Sequence, residues 1–145
     1  MIDKIDEKII KLLAKNGRIK LSDIAKKVNL SISPCQARLK KLEDQKYILG
    51  YHARVNYEKM QKAHVAFVQV VLSDSRETAL ENFNKEVNKL ESVEQCHLIA
   101  GSFDYLLKVR TKNIQEYRIF FSENISSLPH VASTSTFVSM ESVKD

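Results

Sequence analysis

Leu21-Ser22-Asp23-Ile24-Ala25-Lys26-Lys27-Val28-Asn29-Leu30-Ser31 is the stretch on which the reading of this chain turns. Ile24, Ala25 and Val28 share one face of a helix spanning about Ser22 to Val28, with Ser22 as its cap. Asn29 follows, a residue that tolerates the left-handed turn conformation without being glycine. Leu30 resumes the apolar pattern, and small Ala25 lets a following helix approach closely. Helix, tight turn and second helix at this spacing are the parts of a helix-turn-helix.

Outward from that stretch, the flanks supply two more helices. Ile5, Ile9, Leu12 and Leu13 recur at helical spacing and predict a first helix from about Asp3 to Lys15. Its acids lie at the start and its lysines at the end, matching the helix dipole. Asn16-Gly17 reads as a left-handed stop after it. Ser33, Pro34 and Gln36 read as the cap, first residue and third residue of a helix running to about Lys46. Cys35, Leu39 and Leu42 form its apolar face. The polar and basic remainder (Ser33, Gln36, Arg38, Lys40, Lys41) is expected outward, on a rod narrow enough for a DNA major groove.

The second half has a different rhythm. Residues 64–73 are a β-rich run, and 75–90 an amphipathic helix with Leu80, Phe83, Val87 and Leu90 inward. Residues 93–100 and 103–110 read as a hairpin about Gly101-Ser102. Residues 113–128 read as a helix capped by Asn113 and Glu116, with Ile114, Tyr117, Phe121 and Ile125 inward. A last strand is expected over 131–143. The β-α-β-β-α-β order is that of a ferredoxin-like unit. The fold class is therefore α+β: a three-helix winged-helix or helix-turn-helix domain over 1–50, a linker with a short strand over 51–63, and a ferredoxin-like domain over 64–145.

Charge follows the same division. Residues 1–62 hold 15 Lys and Arg against 7 Asp and Glu, while residues 63–145 hold 8 against 11. A basic half beside a mildly acidic one suggests nucleic-acid binding by the first and another task for the second. Ser31, Ser33, Pro34, Gln36 and Arg38 head the third helix, where side chains reach base edges. Gln is suited to adenine and Arg to guanine. Lys26, Lys27, Lys40 and Lys41 are placed for phosphates, which set register.

Other chemistries find little support. Cys96 and His97 are strand neighbours that point to opposite faces, so they form no nucleophile–base pair. The four histidines lack metal-ligand spacing, and no phosphate-binding or dinucleotide loop is present. No enzyme activity, metal or cofactor is expected. Two distant cysteines suit reduced thiols in the cytoplasm. No apolar run is long enough to span a membrane, and the opening residues carry no signal-peptide pattern. The alternative to a DNA-binding regulator is a small-molecule-sensing or assembly module whose three helices contact only protein.

Several segments resemble the Lrp/AsnC family of transcription regulators. They are Ile5–Leu13 with Asn16-Gly17-Arg18, Leu30–Glu43, Tyr47–Tyr51, and Gln95–Leu107. The resemblance covers almost the whole chain. It implies a regulator that binds double-stranded DNA as a homodimer, often an octamer of four dimers, and answers to an amino acid. The leucine-responsive branch, which Gln95–Leu107 most resembles, implies a leucine-like or methionine-like effector. By motif match, Gly101, Asp104 and Tyr105 become effector-site residues, with Ser135 and Thr136 completing the pocket from a neighbouring dimer.

Overall fold

Asp3 starts the first helix, α1 (Lys4–Lys15), with a reciprocal cap. Its side chain accepts the N–H groups of Ile5 and Asp6, and the Asp6 carboxylate accepts the N–H of Asp3. An acidic N-cap of this kind contributes about 1 kcal/mol. This is seen in a computed structural model that describes residues 1–144. The chain divides into two compact units, Met1–Val55 and the remainder from Asn56.

In the first unit α2 (Leu21–Lys27) and α3 (Ile32–Asp44) follow α1. Ile9, Leu13, Ile24, Ala25, Val28, Cys35 and Leu42 form its core. Each large apolar residue there adds roughly 1.5–3 kcal/mol of burial free energy. Asn29 takes the left-handed conformation expected of it, at φ 57°.

Three local expectations fail. Ser22 does not cap α2, because that helix begins one residue earlier, at Leu21, after an extended Lys20. Ser33 does not cap α3: Ser31 is the N-cap, without a side-chain bond, and Ser33, Pro34 and Gln36 all lie inside the helix. Pro34 is tolerated there because first-turn N–H groups have no intrahelical acceptor to lose. Asn16-Gly17 is not a left-handed stop either. Asn16 is extended, its side chain accepts the Arg18 N–H, and Gly17 lies against the Tyr51 ring.

The second unit contains β1 (His64–Leu72), α4 (Glu77–Val87), β2 (Val93–Leu98), β3 (Tyr105–Thr111), α5 (Ile114–Phe120), a π-helical turn (Phe121–Ile125) and β4 (Val131–Val138). The strands form one antiparallel sheet in the order β2-β3-β1-β4, as a ferredoxin-like unit requires. Ala66, Val68 and Val70 of β1 and Tyr105, Leu107 and Val109 of β3 face Phe83, Val87, Tyr117 and Ile125 of the helical layer. Phe67, Gln69 and Leu106 alternate with them and face the other way.

The helix predicted to run to Leu128 widens at Phe121 into a π turn. Ser122, Asn124, Ser126 and Ser127 donate side-chain hydrogen bonds to carbonyls three or four residues back, competing with regular helical bonding. Ile114, expected inward, is exposed as the first residue of α5. The Gly101-Ser102 turn is part of a loop over 99–104 and not a two-residue hairpin. The short strand expected in 51–63 does not form; residues 57–61 make a turn.

Candidate functional site

The turn between α2 and α3 is built by the backbone. The Leu30 N–H donates to the Ala25 carbonyl at 2.9 Å, with Asn29 left-handed between them. This places Leu30 against the core and lets α3 leave at once. Along α3, Cys35, Leu39 and Leu42 face inward at i, i+4 and i+7. Ser33 and Lys40 lie on the opposite side and Gln36 and Lys41 on its flanks, all four exposed, and Ser31 and Pro34 are exposed at its head. Lys26 and Lys27 are exposed at the end of α2. The sequence-predicted DNA-binding residues are thus brought to the surface together, with one exception.

The exception is Arg38. It shares its face with Cys35, Leu39 and Leu42, and its guanidinium turns to α1. Nη1 donates to Asp3 Oδ2 at 2.7 Å and to Asp6 Oδ1 at 2.8 Å. The bonds from Asp6 and then Asp3 raise the Arg38 pKa. The Asp3 pKa is lowered, first by the Asp6 N–H and then by Arg38. Asp6 is only 6% exposed. In this arrangement the guanidinium is engaged by α1 and does not extend outward from α3. By sequence, Asp3 and Asp6 read only as acids that match the dipole of α1. The signal for their role was the spacing 35, 38, 39, 42, which puts Arg38 on the buried face.

The second candidate site is the loop between β2 and β3. Gly101 is exposed, and its backbone is not left-handed. A Cβ there would meet only Ile99 Cγ2, at 3.6 Å, so the fold has no steric need for glycine. The loop closes through Ile99 N–H to the Asp104 carbonyl. Among the described residues no backbone carbonyl accepts from the N–H groups of residues 100–103.

The remaining predicted effector residues are dispersed. Asp104 points its Oδ2 at the Leu72 N–H, 2.7 Å away, so one carboxylate oxygen is spent on the fold. Tyr105 is 1% exposed, stacks on Phe83 at 4.3 Å between ring centroids, and donates its hydroxyl to Asn84 Oδ1. It is a core residue, with its ring and hydroxyl both engaged within the domain. Burial raises its pKa. Ser135 pairs with Gln69 and Thr136 with Val68, so the two face opposite sides of the sheet and cannot line one pocket of one chain. Thr136 meets the Tyr117 hydroxyl at 2.5 Å and ties β4 to α5.

Cys96 pairs with Leu107 and His97 with Leu106, again on opposite faces. Burial pushes the Cys96 thiol up to about 11, which leaves little thiolate near neutrality. Among the described residues no group of three or more His, Cys, Asp or Glu could hold a metal ion. No described helix is long and apolar enough to cross a membrane.

Residues 65–145 match the Lrp/AsnC ligand binding domain, and residues 2–48 match a winged helix-turn-helix DNA-binding domain. The chain belongs to the Lrp/AsnC family. This Lrp/AsnC regulator is 54% identical over 99% of its length, and 92% of the relative's, to a proline dehydrogenase transcriptional activator from Rhizobium radiobacter. It is 41% identical, over 99% of its length and 87% of the relative's, to the leucine-responsive regulatory protein of Escherichia coli. It also superposes on a Neisseria meningitidis transcriptional regulator in complex with L-methionine. The TM-score is 0.91 at 30% identity, covering 100% of this chain and 94% of the other. A DNA-binding domain joined to a ligand-binding domain makes the protein a ligand-responsive transcription regulator, and the relatives named are regulators, not enzymes.

Proposed function

We propose that this regulator reads DNA with the exposed side of α3 and that an amino acid, proline first among candidates, modulates it through the 99–104 loop. The observation that carries the DNA reading is the two-sidedness of α3: Cys35 and Leu42 buried, Ser33, Gln36, Lys40 and Lys41 exposed. Ser31, Ser33, Pro34 and Gln36 face base edges, and Gln36 is suited to a bidentate contact with adenine. Lys26, Lys27, Lys40 and Lys41 neutralise phosphates. Double-stranded DNA is the macromolecular partner, which places the working protein in the cytoplasm.

The effector's carboxylate sits on N–H groups of the 99–104 loop, and Gly101 permits its close approach. Asp104 holds the loop's base and offers its second oxygen to the ammonium. From a neighbouring copy only one of Ser135 and Thr136 enters, since they face opposite sides of their sheet. Proline is favoured over leucine or methionine because relatives at 54% and 46% identity are both proline dehydrogenase transcriptional activators. Methionine is next, from the complexed structures. Homodimers form through the helix-free face of the sheet, where Phe137 is 54% exposed, and four dimers assemble into an octamer.

The test is a thermal-unfolding screen of the twenty amino acids, since a ligand selective for the folded state raises the midpoint. Proline is expected to give the largest rise and to change the affinity for duplex DNA. A rise with no amino acid ends the effector reading. Absence of salt-sensitive duplex binding ends the DNA reading and favours the protein-contact module.

A further inference from the structure

The Asp3 and Asp6 carboxylates divide their oxygens in the same way. Asp3 accepts the Ile5 and Asp6 N–H groups on Oδ1 and Arg38 on Oδ2. Asp6 accepts the Asp3 N–H on Oδ2 and Arg38 on Oδ1. The helix cap therefore holds both acids in place, and each aims its other oxygen at one guanidinium nitrogen. Arg38 lies midway along α3, on the side that packs against the core. We propose that Arg38 is a specificity-determining positioning residue: the Asp3–Asp6 cradle holds it on α1, fixes the rotation of α3 about its own axis, and so aims Ser33 and Gln36 at the bases. Arg38 itself does not touch DNA.

The reason is electrostatic. The Asp6 side chain is only 8% exposed. Drawing Arg38 away to a phosphate or a guanine would leave that carboxylate buried without its cation, a strongly unfavourable arrangement. The cradle carries two formal negative charges and the guanidinium one positive, so the balance favours retention. Binding of DNA leaves this contact intact, and the contact sets which side of α3 the duplex meets. The proposal rests on α3 being the helix that reads DNA.

The experiment uses the full chain and two probes: a duplex selected from a random pool by the unaltered protein, and random duplex. Asp3→Asn/Asp6→Asn keeps the size of both side chains and the Asp3 cap but removes the cradle's charge. It also makes the domain more positive by two charges. Positioning predicts that the ratio of selected to random affinity falls about tenfold, while random-duplex affinity holds or rises. A direct DNA contact by Arg38 predicts the opposite, tighter selected binding with the ratio intact, and that result overturns the proposal.

Arg38→Met gives a second readout. Its salt slope is expected to match the unaltered protein, whereas Lys40→Ala lowers the slope by about 0.9, the share of one phosphate contact. An equal drop for Arg38→Met overturns the proposal. Arg38→Lys, which restores the charge and reaches one carboxylate, is expected to recover part of the ratio; no recovery counts against positioning. Far-UV circular dichroism confirms folding. Should the double variant not fold, Asp3→Asn alone and Arg38→Lys decide by the same ratio. Loss of duplex binding in the unaltered protein, by contrast, would signal failure of the DNA reading itself.

Discussion

The Asp104 carboxylate takes the Leu72 N–H at 2.7 Å, two residues beyond Val70, the last β1 residue paired with β3. The Asp104 N–H still donates to the Val70 carbonyl, and then the chain departs into the loop. The side chain thus continues a ladder that the backbone has left. Asp104→Ala orphans a partly buried donor and is expected to cost about 1–3 kcal/mol, measured by denaturant unfolding. Asp104→Asn keeps an acceptor oxygen and should cost clearly less. Equal stability of the Ala variant and the unaltered protein would remove this role.

Tyr105 offers a cleaner separation of fold from ligand. Tyr105→Phe loses the bond to Asn84 but keeps the stack on Phe83. The expected cost is about 0.5–1.5 kcal/mol, with effector titration unchanged. Tyr105→Ala opens the core and is expected to cost about 3–5 kcal/mol. A shifted effector midpoint in the folded Phe variant would restore Tyr105 to the site.

Gly101 tests the loop as a ligand seat. A methyl group there meets Ile99 at ordinary van der Waals distance, so Gly101→Ala should unfold at the temperature of the unaltered protein. Its midpoint rise with proline should shrink markedly, because the methyl occupies the line of approach. Full retention of that rise, in an equally stable variant, would move the effector elsewhere.

Acid sensitivity should reside partly in the segment before α4. Arg76 donates two side-chain N–H groups to Asp74 as well as its own backbone N–H, and holds the Asp74 pKa down to about 2 from 3.8. A carboxyl depressed on folding stabilises the protein above its unfolded pKa and loses that contribution as pH falls through the folded value. Arg76→Gln is therefore expected to lower stability between pH 5 and 7, measured by urea unfolding, with the difference vanishing as pH falls from about 4 to about 2. A difference that persists at pH 2 would assign the effect to something other than Asp74 ionisation.

Base reading is assigned to Gln36. Gln36→Ala is expected to relax preference at one or two base positions by about 1–3 kcal/mol while random-duplex binding stays within twofold. Competition against single-base variants of a selected duplex measures it. A uniform loss across all sequences would make Gln36 a backbone contact.

Element order was legible because periodicity is a local property. Ile5, Ile9 and Leu13 announce a helix, and Tyr105, Leu107 and Val109 announce a half-buried strand, whatever surrounds them. Helix starts were less legible. Ser33-Pro34 has the chemistry of a cap and a first residue, yet α3 begins at Ile32 because the Asn29 turn and the Leu30 bond to Ala25 deliver the chain there already. The break in the last helix at Phe121 depends on four polar side chains each finding a carbonyl, a competition that apolar spacing does not register.

Residue types and their spacing alone determined a helix-turn-helix ahead of a βαββαβ unit, a basic half and an acidic half, and a two-sided α3. Those are properties of neighbours along the chain. Tertiary structure decided which side chains remain free to act. Arg38 goes to Asp3 and Asp6, 35 and 32 residues away; Asp104 to Leu72; Tyr105 to Phe83 and Asn84. A polar side chain joins a site only if folding leaves it without a better partner, and that partner comes from a distant part of the sequence.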